Sequence, residues 1–275
     1  MKKNAAIRFF WAAAAALLTL WACATVPITG RKTLRLVPDS QLATYAVQQY
    51  DETLKKAELS EDEAATAMVR RVGMRIAHAA ESFLRESGDP QRADSFKWEF
   101  NLIRDDKTAN AWVLPGGKAA VYTGILKYTQ NETGLAVVLG HEVAHALADH
   151  GNERMSEGLL AQLGGMALAV AVSQEPAATQ QLFMGAFGVG ANVGVLLPFS
   201  RIQESEADRI GLVLMAMAGY DPREAVPFWE RMNSGEKGAR PPELLSTHPA
   251  PTTRIKEIQQ HLPEALAYYE KARAH

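Results

Sequence analysis

Residues 133–149 form a strongly apolar stretch, and His141, Glu142 and His145 are embedded in it. Leu135 to Leu139 precede the first histidine, and Val143, Ala144, Ala146, Leu147 and Ala148 interleave the rest. Apolar surroundings of this kind predict a buried helix. Two imidazoles and a carboxylate buried there need partners, because an unpaired buried polar group is costly. On a helix, positions i and i+4 share a face, so His141 and His145 can reach one ion. A catalytic zinc takes three protein ligands and keeps one position open for water. Glu142 borders the same face, where it can take a proton from that water. The pattern therefore asks for a fold that brings a third ligand to this helix.

No histidine follows His145 at the metzincin spacing, and His150 stands too far along to ligate. It reads as a capping or packing histidine. The candidates for the third ligand lie in Glu204-Ser205-Glu206-Ala207-Asp208, again on an expected helix. Glu204 and Asp208 are one turn apart on one face. Glu204 is expected to bind zinc, and Asp208 to orient a ligand imidazole from behind, fixing its tautomer. Glu206 points away from that face and is expected to be exposed or in a salt bridge.

The N-terminus reads as an export segment. Lys2, Lys3 and Arg8 precede an apolar run from Phe9 to Trp21, which is short for a bilayer span. Leu20-Trp21-Ala22-Cys23 looks like a bacterial lipobox, with Cys23 as the lipidated residue. Residues 1–22 are then a lipoprotein signal peptide, 23–37 the lipidated Cys and a tether, and 38–275 one domain. Ala24, not Asp, favours the outer membrane. Cys23 is the only cysteine, so no internal disulfide can form. A net charge of −2 gives no reason to expect nucleic acid as a partner.

Along the rest of the chain, helices are expected from 38 to 57, from a Ser60 cap to about 86, from 133 to 149, from 200 to 218, from 223 to 233 and from 252 to 274. Phe96–Ile103, Ala109–Leu114 and Ala119–Thr123 read as strands, the last two around Pro115-Gly116-Gly117. The whole is mainly α with a small β-sheet, an α+β chain. Two apolar, Gly- and Ala-rich stretches, Leu159–Val172 and Leu182–Leu197, are each too short to span a membrane. They read as a buried helical hairpin, or else as a surface for membrane or an unfolded client.

H-E-x-x-H followed by E-x-E-A-D resembles the zinc metallopeptidase family of HtpX, the CAAX prenyl endopeptidases and the periplasmic beta-barrel-assembly-enhancing protease. Asn110-Ala111-Trp112-Val113-Leu114-Pro115-Gly116-Gly117 is similar to that family's N-A-x-x-x-P-G-G strand. Ser246-Thr247-His248-Pro249 with Arg254 resembles its C-terminal element, and Cys23 to Leu36 the start of its bacterial lipoproteins. The resemblance implies a gluzincin-like zinc metallopeptidase domain holding one Zn2+ per chain on His141, His145 and Glu204. Catalysis then falls to Glu142, with His248 close to the metal either as a donor to the oxyanion or as a fourth ligand that keeps the enzyme latent. It implies an endopeptidase of the bacterial envelope that pairs polypeptide substrates with the strand Asn110, Ala111, Trp112, Val113 and Leu114. It also implies misfolded or unassembled envelope proteins as clients and contact with envelope assembly machinery. No stretch of the sequence reads as the bracketing transmembrane helices of the integral-membrane members or as the C-terminal helical repeats of the assembly-enhancing protease. A non-proteolytic assembly factor on the same fold, or a zinc hydrolase acting on small molecules, are the rival readings.

Overall fold

A computed structural model of the chain describes residues 23–173, 181, 184, 197–234, 242–248 and 253–274. In chain order these residues form strands β1 (Cys23–Thr25) and β2 (Lys32–Leu34), then helices α1 (Asp39–Lys56), α2 (Glu63–Glu86) and α3 (Pro90–Ser95). Strands β3 (Glu99–Ile103), β4 (Ala111–Val113) and β5 (Lys118–Tyr122) follow. The remainder is helical: α4 (Leu126–Thr129), α5 (Glu132–Leu147), α6 (His150–Ala171), α7 (Leu197–Met217), α8 (Ala225–Asn233), α9 (Glu243–Thr247) and α10 (Arg254–Arg273). The class is α+β, mainly helical with small sheets. Among the described residues no helix is long and apolar enough to cross a membrane.

Every residue of α5 from Gly134 to Leu147 is buried. A helix that is apolar all round has no solvent face and must sit inside the domain; α5 packs against α2, α7 and β4. Its start is fixed by Asn131, whose side chain accepts the Gly134 N–H at 3.0 Å. Helix α2 begins later than the Ser60 cap expected from sequence. Asp62 is the cap, accepting from Ala65 N at 2.9 Å. The Ser60 N–H instead bonds the Leu102 carbonyl of β3 at 2.9 Å.

Helices α5 and α7 approach to backbone contact at Gly140 and Gly211. A Cβ added at Gly140 would stand 2.9 Å from the Gly211 carbonyl oxygen, and one at Gly211 would stand 2.9 Å from both Gly140 C and His141 N. Absence of side chains here lets α7 carry Glu204 and Asp208 up to the His141 face. Gly211→Ala is expected to push the helices apart at a cost of ~1–3 kcal/mol. At roughly 2–4 °C per kcal/mol for a chain of this size, the thermal midpoint should drop by several degrees. A midpoint equal to wild type would show that the crossing is not constrained at this point.

The second sheet has the order β3-β5-β4. β3 and β5 are parallel, and β4 and β5 antiparallel with Trp112 opposite Ala120. β4 is thus an edge. Tyr122 N donates to the Asn110 carbonyl at 3.0 Å and Leu114 N to the Lys118 carbonyl at 2.8 Å. By antiparallel alternation, the backbone groups of Ala111 and Val113 turn outward. Outward-facing Ala109 is already engaged, its carbonyl accepting from Leu244 N of α9 at 3.0 Å.

Two expectations are corrected. Residues 24–35 do not form a loose tether: β1 and β2 pair as a hairpin, with Cys23 opposite Leu34. The hairpin is held to the domain because Arg31 binds two buried carboxylates, Glu153 and Glu206. The first arm of the apolar 159–197 stretch is not buried either. In α6 only the first two turns face inward (His150, Asn152, Glu153, Ser156, Glu157). Beyond them Leu163, Met166 and Val170 are 58%, 59% and 74% exposed. The second arm, Leu182–Leu197, lies outside the described residues apart from Met184 and the start of α7, and so does the signal segment 1–22.

Candidate metal centre

Helix α5 presents His141 and His145 one turn apart, as the spacing requires, and α7 crosses it with Glu204 facing both. His145 Nε2 stands 3.1 Å from His141 Nε2. His141 Nε2 stands 3.2 Å from Glu204 Oε2, and His145 Nε2 3.4 Å from Glu204 Oε1. His248, at the C-terminal end of α9, points in from the opposite side. Its Nδ1 is 3.0 Å from Glu204 Oε1 and 3.4 Å from His141 Nε2. One ligand atom from each of His141, His145, Glu204 and His248 fits within 4.8 Å of the others, and all four residues are buried.

These separations decide whether a metal fits. Ligands held tetrahedrally at ~2.0–2.1 Å from zinc stand about 3.3 Å apart. The contacts of 3.0 to 3.4 Å have that spacing. Buried polar atoms also point into the same space without hydrogen-bond partners among the described residues, namely Glu142 Oε1 and Glu204 Oε2. His248 Nε2 stands 3.4 Å from Glu142 Oε1, outside hydrogen-bond geometry. The donor set of imidazole nitrogens and carboxylate oxygens suits a divalent transition metal.

Each α5 imidazole is held from behind. His141 Nδ1 donates to Asp208 Oδ1 at 2.9 Å. Asp208 accepts in turn from Arg254, through Nε to Oδ2 and Nη2 to Oδ1, both at 2.7 Å. The Arg254 guanidinium lies 3.4 Å over the Trp229 ring, and Trp229 is buried edge-on to His141. His145 Nδ1 instead meets His150 Nδ1 at 2.8 Å. His150 Nε2 bonds Glu206 Oε2 at 3.0 Å. His150 can reach back because Asp149 takes a left-handed backbone, φ 56°, between α5 and α6. Such a conformation is uncommon for a residue with a side chain, and ion pairs with Arg92 and Arg35 hold Asp149 there.

The electrostatics follow from burial and these partners. Burial would lower the His141 imidazole, but its contacts with Asp208 and Glu204 hold it up at about 9. Burial drives His145 well below the usual imidazole value. It raises the Glu142 carboxyl, as a general base requires. Glu204 is also buried, yet the facing imidazoles of His141, His145 and His248 hold it far below the carboxylate range. Glu206 resists its own burial through hydrogen bonds from His150, Arg31 and Thr29, which hold it at about 2.

Glu206 is therefore neither exposed nor a bystander. It is buried, and it makes the ion pair that was one of the two options read from sequence. Sequence reasoning missed Arg31 and Glu153. It also gave His150 and Glu206 no link to the cluster, although two buried polar residues in apolar surroundings were the available signal. Asn110 and Ala111 are buried, whereas Trp112, Val113 and Leu114 are half-buried. Val113, Leu114 and Pro115 line a cleft of about 320 Å³ together with His145, Ala146 and Leu42.

Beside this centre, Glu157 of α6 is buried with Oε2 unpartnered among the described residues. Burial, reinforced by the Glu153 carboxylate, pushes it up to about 7. The folded chain then keeps a proton that the unfolded chain releases near 4.5, so stability is lost as pH rises from about 4.5 to about 7. Glu157→Gln is expected to flatten that decline in Tm; an unchanged slope would assign the pH dependence elsewhere.

A buried H-E-x-x-H helix, a glutamate from a crossing helix and a second carboxylate behind the first histidine define a metallopeptidase of the gluzincin type. Residues 58–262 match the description of peptidase family M48, and the chain belongs to that family. It is 36% identical over 210 residues to the mitochondrial metalloendopeptidase OMA1 of Saccharomyces cerevisiae, covering 74% of this chain and 58% of that protein. It is 31% identical over 254 residues to human metalloendopeptidase OMA1, covering 89% of this chain and 47% of the relative. It is 28% identical over 232 residues to the Escherichia coli beta-barrel assembly-enhancing protease, covering 82% and 44%. The chain spans about half the length of these curated relatives.

Proposed function

We propose that this chain is a zinc-dependent endopeptidase of the bacterial cell envelope that cleaves misfolded or unassembled envelope proteins. The observation that carries the activity is the convergence of His141, His145, Glu204 and His248, with ligand atoms within 4.8 Å of one another, beside the unpartnered Oε1 of Glu142. A zinc ion bound there would polarise the peptide carbonyl and lower the pKa of a coordinated water towards about 7. His141, His145 and Glu204 would hold it. Glu142 accepts the proton of the attacking water and delivers it to the leaving amine. Burial of Glu142 supports this role, because it raises the basicity of the carboxylate.

The substrate is a polypeptide lying extended along β4. Val113 and the Ala111 carbonyl are turned outward on that edge, and the strand continues into the cleft beside His145. Pairing through backbone reads exposed chain more than side chains, which suits clients that have lost their fold. The Escherichia coli relative is named for beta-barrel assembly. Lipidation at Cys23, on the periplasmic face of the outer membrane, is supported by the Leu20–Cys23 pattern. One zinc per chain and casein cleavage by wild type, both lost in His141→Ala, are the expected results. Zinc-independent cleavage, or zinc without cleavage, would overturn the reading. Palmitate labelling that disappears in Cys23→Ser is the matching test for location.

A further inference from the structure

The hairpin at the start of the described chain reaches the metal centre through an unbroken line of polar contacts, half-buried at Arg31 and buried from Glu206 inward. Arg31 Nε donates to Glu206 Oε2 at 2.8 Å, and its Nη1 and Nη2 donate to Glu153 at 2.6 and 2.8 Å. Thr29 donates to the other Glu206 oxygen. Gln203 closes the group by donating to Glu153 Oε2 at 2.8 Å. Glu206 then accepts from His150 Nε2, and His150 Nδ1 faces His145 Nδ1. His150 and Glu206 are 0% and 6% exposed, so water does not interrupt the line.

With both imidazoles neutral, one assignment of protons satisfies every contact. Arg31 is a permanent donor, so Glu206 is an acceptor-only carboxylate and His150 Nε2 carries hydrogen. His150 Nδ1 is then the acceptor in a neutral ring, and His145 Nδ1 must donate to it. That leaves the lone pair of His145 on Nε2, the atom that faces His141 and Glu204. The opposite tautomer of His145 would present an N–H to the cluster and could not ligate.

We propose that Arg31, Glu206 and His150 are positioning residues of the metal centre, with the N-terminal hairpin fixing the tautomer and tilt of His145. His141 gets the same service from one carboxylate, Asp208, in direct contact. His145 gets it through a relay ending on a different part of the chain. Hydrogen-bond partners of ligating histidines are worth ~10–100-fold in metal affinity. The inference rests on the reading of the cluster as a metal site.

The test uses the full chain, with zinc affinity from chelator competition and the absorption bands of the cobalt-substituted protein as readouts. H150A is expected to weaken zinc binding by ~10–100-fold, and E206Q, one contact further from the ion, by up to about 10-fold, with shifted cobalt bands and a lower kcat on casein at little change in KM. R31M should give the same pattern more weakly. H150Q, whose amide can accept from His145 and donate to Glu206, should recover most of what H150A loses. Wild-type zinc affinity and cobalt bands in folded E206Q and R31M would overturn the proposal, even if their Tm falls. Should E206Q not fold, equal losses in H150A and H150Q would overturn it. A wild-type chain that binds neither ion would sink the reading of the site itself; a wild type that binds while the variants are unaffected would sink only this inference.

Discussion

Glu142→Gln is expected to retain one zinc per chain and to lose peptide hydrolysis by a factor of about 10²–10⁴, the usual contribution of a positioned acid–base group. The amide keeps the size of the side chain. Glu142 Oε1 has no hydrogen-bond partner among the described residues, so no structural bond is broken there. The residue is also buried in α5 between two ligands that the substitution leaves in place. Metal analysis and casein turnover on the same preparation separate the outcomes. Loss of zinc together with activity would make Glu142 a ligand, and near wild-type turnover would move the base elsewhere.

His248→Ala is expected to raise turnover. Its Nδ1 stands 3.0 Å from Glu204 Oε1 and 3.4 Å from His141 Nε2, close enough to serve as a fourth ligand. Its Nε2 faces Glu142. The segment that carries it also covers the edge strand, since Leu244 N donates to the Ala109 carbonyl and Asn110 Nδ2 reaches Glu243 at 3.4 Å. A substrate that extends along β4 would meet α9 at that point. On the latch reading, His248 and α9 would together restrain both the ligand position and the substrate edge. If the open state is populated at about 1–10%, releasing it should raise casein cleavage by about 10–100-fold. A fall in turnover with zinc retained would instead make His248 a donor to the developing oxyanion, a role worth ~10²–10³ in rate where measured. A wild-type rate with an unchanged cobalt spectrum would remove it from the site.

How far each of these residues could be read in advance depended on distance along the chain. His141 and His145 share a face because they are four residues apart on one helix, and Glu204 and Asp208 share one for the same reason. Their apolar neighbours required those faces to be buried. Strand β4 was legible from the Pro115-Gly116-Gly117 turn that ends it, and its edge position came from the strand order of the sheet. Helix phase also said correctly that Glu206 turns away from Glu204, but phase gives a direction and not what lies in that direction.

What lies there was decided by tertiary structure. Arg31 and Glu206 are 175 residues apart, and no local pattern links them. Their meeting depends on the left-handed turn at Asp149, which redirects the chain between α5 and α6 and brings His150 to His145. It depends also on the hairpin docking where Glu153 and Glu206 stand together. Residues 24–35 read as a tether because Pro, Gly and Thr dominate a local reading, while their order comes from buried carboxylates on α6 and α7. The crossing of α5 and α7 at Gly140 and Gly211 has the same character: each glycine is unremarkable in its own helix, and only the contact between the two explains both. The sequence determined the chemistry of the ligand helix through short-range periodicity. The partners that orient and restrain that chemistry come from contacts between distant segments, whose geometry is set by packing of the whole domain.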